Sequence, residues 1–182
     1  MIVVEEKKKT NIAEYVILMY QTEDMLRAYH FDIERIKTDV ITPQIPSESL
    51  RPTVTNWYLN LIEEMKKRGL EQAGHVHEVQ EVIAEIIYLH NTLLSIVKDE
   101  KYKNLLNQAV DNIEAFREKS DLKEMHPVEV CFHAMYMKLL MRLQKKEISA
   151  ETEHAFDSMR MLLAYLSRAY HDMKAGKMDM FQ

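Results

Sequence analysis

TNIAEYVILMYQTEDMLRAYHFDIERIKTDV, residues 10–40, decides the fold class. Ile12, Tyr15, Met19, Thr22, Leu26, Tyr29, Ile33, Ile36 and Val40 recur at alternating steps of three and four. Side chains at that spacing share one face of an α-helix, so the run predicts a single amphipathic helix of about eight turns. Thr10 or Asn11 supplies an N-cap oxygen, and Glu14, three residues after Asn11, is the reciprocal half of a capping box. Pro43, Pro46 and Pro52, three of the four prolines in the chain, end the run and predict an extended crossover loop over 42–53. Residues 1–9 read as an N-terminal arm, because Met1-Ile2-Val3-Val4 runs straight into charge and is too short for a signal-peptide apolar core.

Five further helices follow by the same period. Val54, Trp57, Tyr58, Leu61, Ile62 and Met65 line one, with Gly69 as its C-terminal cap. Val76, Val79, Ile83, Ile86, His90, Leu93 and Val97 line the next, from about His75. Asp99 caps a fourth, facing inward through Tyr102, Leu105, Leu106, Ala109, Ile113 and Phe116. Asp121 with Glu124 is a second capping-box match, and Pro127 opens or kinks the fifth, with Val128, Phe132, Met135, Leu139 and Leu143 as its stripe. Ser149 caps the sixth, lined by Phe156, Met159, Leu163, Leu166, Tyr170 and Met173 and ended by Gly176. The expectation is an all-α, single-domain bundle of about six helices, mostly antiparallel, over 1–182.

Composition agrees. Three glycines and four prolines in 182 residues are too few for a turn-rich β fold or a parallel α/β fold. Thirteen methionines suit helical core packing. A net charge of −5 argues against a nucleic-acid partner, which needs a basic face. No apolar run approaches a membrane span. The lone Cys131 fits a reducing compartment, so the expected location is the cytoplasm.

Three stretches carry a family resemblance: TNIAEYVILMYQTEDMLRA (10–28), PTVTNWYLNLIEEMKKRGL (52–70) and CFHAMYMKLLMRLQKKEIS (131–149). In them the chain resembles a family of short Bacteroidetes proteins of about this length, defined only as a domain of unknown function. The resemblance implies one helical domain in a bacterial cytoplasm and brings no catalytic or binding residue with it.

Candidate chemistry rests on the residues themselves. His90 sits mid-stripe, where a buried imidazole needs a partner such as the hydroxyl of Tyr15 or Tyr29; it reads as a satisfied core histidine or as a ligand in an internal pocket. His30 with Glu34, and Glu129 with His133, are pairs four apart, the spacing of helical metal ligands and also of plain surface pairs. Only Glu151 and His154 show the Glu-x-x-His spacing of di-iron bundles, in a first turn where capping accounts for it. Glu23 with Arg27 on the first helix and Arg142 on the fifth suggest a charge cluster that fixes helix register or holds a polar ligand. Cys131, flanked by Val128, Phe132 and Met135, reads as a buried, inert thiol. No cofactor and no stoichiometric metal are expected, and the chain reads as non-enzymatic.

Apolar side chains also stand off the main stripes: Ile17, Tyr20 and Phe31 on the first helix, Met161 and Tyr165 on the sixth. Such second faces are buried by a central position in the bundle or by a partner, and they predict a homodimer contacting a further, unidentified protein.

Overall fold

A computed structural model describes residues 1–177; residues 178–182, expected within the same domain, lie outside the described residues. The described residues are helical, with no strand. Eight helices stand where about six were expected: α1 (Ile2–Thr10), α2 (Ile12–Ala28), α3 (33–44), α4 (Arg51–Lys67), α5 (His77–Ser95), α6 (Glu100–Lys119), α7 (Pro127–Leu143) and α8 (Ala150–Lys174). None is long and apolar enough to cross a membrane.

Two of the eight come from segments read otherwise. The expected arm is α1, and nine residues with three lysines would not stay helical alone. It is held by burial of Val4 and by ion pairs from Lys7 to Glu14 and Lys8 to Glu78. Asn11, in an extended conformation, ends α1 through its own N–H to the Lys7 carbonyl. It begins α2 by accepting from the Glu14 N–H at 3.2 Å. The Glu14 carboxylate returns to the Asn11 side chain (2.9 Å) rather than to its backbone, so the expected capping box is half made.

The expected eight-turn helix is broken at 29–32. His30 (φ 52°) and Phe31 (φ 58°) are left-handed, and the Phe31 N–H reaches back to the Leu26 carbonyl. Asp32 restarts the helix by accepting from Glu34 and Arg35 N–H groups at 3.1 and 3.2 Å. An aspartate oxygen beside free N–H groups competes with continued α geometry, and here it prevails. α3 then contains a π turn over Lys37–Ile41, where the Thr42 N–H bonds the Lys37 carbonyl five residues back. Pro43 lies inside the last turn of α3 and Pro52 in the first turn of α4, so the expected loop over 42–53 contracts to 45–50. Proline lacks an N–H that a first turn leaves unbonded in any case.

Asp99 and Ser149 cap α6 and α8 as their positions suggested, bonding the Tyr102 and Thr152 N–H groups at 3.0 and 3.2 Å. The Asp121–Glu124 box does not form, since Asp121 is left-handed in the turn after α6. His126 and Glu129 make that box instead: His126 Nδ1 accepts from the Val128 N–H (3.2 Å), and Glu129 Oε2 from the His126 N–H (3.1 Å).

α8 runs through the middle and packs on α2, α5, α6 and α7. Contacts fix its direction. Glu85 bonds Tyr170 and Lys174, Asp99 bonds Tyr165, Asn112 bonds Ser158, and Phe116 meets Phe156. α6 therefore runs antiparallel to α8, α5 meets the C-terminal end of α8 through Glu85, and His90 of α5 folds against Tyr102 of α6 across the short 96–99 connection. Ile12 with His171, and Lys138 with Asp157, set α2 and α7 antiparallel to α8 as well. α2 and α7 are consequently parallel to one another.

The break at His30 has a test whose sign is diagnostic. His30→Gly should raise the unfolding free energy in urea by about 0.5–1 kcal/mol, because glycine takes a positive φ without strain. A helix continuous through His30 would lose about 1 kcal/mol from the same change.

Candidate functional site

The most polar part of the interior lies where α2 passes the loop before α5. Glu23 follows Met19 and Tyr20 on the buried side of α2 and has no exposed surface. A carboxylate buried alone is costly, and this one is satisfied twice. Oε2 faces His75 Nδ1 at 2.6 Å, and Oε1 accepts from the Val76 N–H at 2.9 Å. Arg27, expected to pair with Glu23, reaches the same loop from its other side. Its Nε donates to the Leu70 carbonyl (3.0 Å), one terminal nitrogen bonds the Gly74 carbonyl, and the other pairs with Asp24 at 2.7 Å. Gly74, at φ 94°, brings its backbone against Leu70, where a Cβ would lie 2.9 Å from Cδ2.

Aromatic rings close around the pair. His75 stacks flat on Tyr20, ring centres 3.8 Å apart and planes within 7°. His133 of α7 tilts against both, 5.4 Å from Tyr20 and 6.2 Å from His75. Tyr136 meets Tyr20 edge-on and donates its hydroxyl to Asp24 at 2.7 Å. Burial, and then the neighbouring His75, hold the His133 imidazole below its ordinary range. The Tyr20 phenol is pushed up by burial and by the charges of Glu129 and Glu23.

His75 has no place among the sequence candidates, having been assigned to the first turn of a helix. Its position directly after Gly74 and two residues before His77 was the available signal. Tyr20, assigned to a second face buried either within the bundle or by a partner, is in the core, because the buried side of α2 is wide enough to take Val16, Tyr20 and Glu23 as well as the main stripe.

The other candidates disperse. Arg142 is 63% exposed and pairs with Glu153 (3.3 Å), far down α7 from the Glu23 cluster. The charge cluster expected between α2 and α7 does not form; Lys138 of α7 is instead almost buried between Glu153 (2.5 Å) and Asp157 (3.4 Å) of α8. His30 sits in the left-handed break, so it shares no helical face with Glu34, which pairs with Lys37 at 2.7 Å. Glu129 is occupied in capping α7. Among the described residues, no three His, Cys, Asp or Glu side chains come together as a metal site. Cys131 is buried and its thiol pushed up to about 12 by burial, which keeps it protonated and unreactive.

Of the expected surface patch, Phe31 is half-buried under the Lys66 ammonium, and Tyr165 is tied by its hydroxyl to Asp99 at 2.5 Å. Met161 remains 46% exposed. Ile17 lies on the floor of an open groove of about 560 Å³ between α2, α7 and α8, with Met135, Leu139 and Leu163 beside it and Glu14, Arg142, Asp157 and Arg160 around it.

His90 is buried, and its Nδ1 pairs with the Tyr102 hydroxyl at 2.5 Å; Tyr15 is engaged by Glu78 (2.7 Å) and Tyr29 lies under the Arg35 guanidinium. Burial, aided by His126, pushes the His90 imidazole down to about 4. The unfolded chain therefore takes up this proton near pH 6.5 and the folded chain only near 4, so folding weakens as pH falls between those values and loses nothing more from this group below them. Unfolding free energies in urea should drop from pH 7 to pH 4.5, and His90→Asn should reduce that slope. A variant as steep as the wild type would place the titration elsewhere.

No curated protein and no solved structure matches the chain. Residues 1–177 match the family model described as "Domain of unknown function (DUF4924)", and the chain belongs to that family.

Proposed function

We propose that this chain acts by protein–protein contact rather than by catalysis, as a homodimer in a bacterial cytoplasm, with no nucleic-acid partner. The observation that carries this reading is the groove between α2, α7 and α8. Its floor is apolar: Met135 and Leu163 are already buried within the chain, while Ile17 and Leu139 are only partly covered, and completing the cover of such a side chain recovers part of the roughly 1.5–3 kcal/mol that full burial is worth. Its rim holds both signs of charge, Glu14 and Asp157 beside Arg142 and Arg160. A two-fold axis sets one patch against itself, so a rim of mixed sign pairs acid with base without a second kind of surface. Met161 lies four residues from Asp157 and three from Ala164 on the same helical face and widens the patch. Phe31 and Tyr165 make their contacts within the chain and are not part of the seam. The net charge of −5 supports the exclusion of nucleic acid.

Sedimentation velocity of the wild type and of an Ile17→Glu, Leu139→Glu double variant tests the seam. The wild type should run as a dimer, and the variant as a monomer with unchanged helical circular dichroism. A wild type that stays monomeric at high concentration, or a variant that remains dimeric, overturns it.

A further inference from the structure

His75, Glu23 and His133 are brought together from three separate parts of the chain, and their arrangement goes beyond the contact function proposed above. A carboxylate on one imidazole nitrogen fixes the ring's orientation and leaves the other nitrogen facing away. That is the arrangement found behind histidines that ligate metals. Glu23 fills that role for His75: it is fully buried, is anchored by the Val76 N–H, and lies 2.6 Å from Nδ1. The flat stack on Tyr20 removes the remaining rotational freedom of the ring. Nε2 is thus the nitrogen left for a ligand, and the His75 side chain is 22% exposed, which gives a path from solvent.

His133 stands at the matching distance. Imidazole nitrogens bind such ions at about 2.0–2.1 Å, so two rings on one ion have centres roughly 5 Å apart at a tetrahedral angle and roughly 6.4 Å apart when they lie opposite each other. Here they are 6.2 Å apart, inclined at 52°. Burial lowers the His133 imidazole and so favours its neutral form, which offers a lone pair. We propose that His75 and His133 together bind one divalent transition-metal ion of the zinc, nickel or copper kind, with Glu23 as the carboxylate that orients His75. Imidazole pairs favour those ions over magnesium or calcium. The described residues add no third protein ligand, so water, or a donor from a bound molecule, fills the remaining positions.

The experiment uses the full chain, freed of metal with a chelator and then titrated calorimetrically with zinc and with nickel. One ion per chain should bind with micromolar affinity. His75→Ala and His133→Ala should each weaken binding by about 100-fold or more, and Glu23→Gln by about 10–100-fold. Failure of the wild type to take up either ion at millimolar concentration overturns the proposal, as does wild-type affinity in either histidine variant. If a variant does not melt cooperatively, histidine-labelled wild type decides the matter. Substoichiometric nickel should broaden His75 and His133 first; broadening that begins at His77, which is exposed and paired with Glu81 at 3.1 Å, overturns the site.

Discussion

The buried face of α8 is the constraint on which the other helices depend. Phe156, Met159, Leu162, Leu163, Leu166, Ala169 and Tyr170 are buried on it, and together they span more than one side of the helix. An apolar arc that wide needs several partners, and α2, α5, α6 and α7 supply them, while Asp157, Arg160, Met161, Ala164 and Arg168 face solvent on the remaining side. α6 lies along α8 from Asp99 against Tyr165 to Phe116 against Phe156, and α5 covers the C-terminal end of α8 through Glu85.

Charge inside such a bundle is tolerated only where it is answered. Glu23 faces His75 and a backbone N–H, and Lys138 lies between two carboxylates. His90 takes the other route and stays neutral against a tyrosine hydroxyl. Each of these ties also joins separate elements: Glu23 fastens the loop before α5 to α2, Lys138 fastens α7 to α8, and His90 fastens α5 to α6. Whatever such groups cost in desolvation, they restrict the helices to one relative placement, since sliding by a turn would leave a buried charge unpaired.

The apolar period made the helical class legible, together with most of the inward sides of α4 to α8 and the caps at Asn11, Asp99 and Ser149; Val97 and Leu143, assigned to those sides, are exposed at the helix ends. It did not reveal the break at His30. Ile33 and Ile36 continue the three-four spacing across it, so periodicity alone cannot detect a change of axis there. Asp32 carried that information as a cap residue in mid-run. The loop over 42–53 was overdrawn because proline is read as a breaker, although Pro43 and Pro52 both occupy helical turns. Of the Glu23 cluster, Glu23 and His133 were picked out, each with the wrong partner. Pairs four apart are visible in sequence, whereas the contact between Glu23 and His75 spans 52 residues and depends on how the 68–76 loop folds back over α2.

The central place of α8 also governs how the chain is made. A ribosome adds roughly 5–20 residues per second from the N-terminus. The strand of contacts that joins α2, α5, α6 and α7 runs through residues 150–174, so the nascent chain carries four amphipathic helices before the surface they share has been synthesised. Helix hairpins form early from local contacts, but here the decisive partners are far apart in order of synthesis. Burial of the faces of α2, α5, α6 and α7 that meet α8 therefore waits until residues 150–174 have been made.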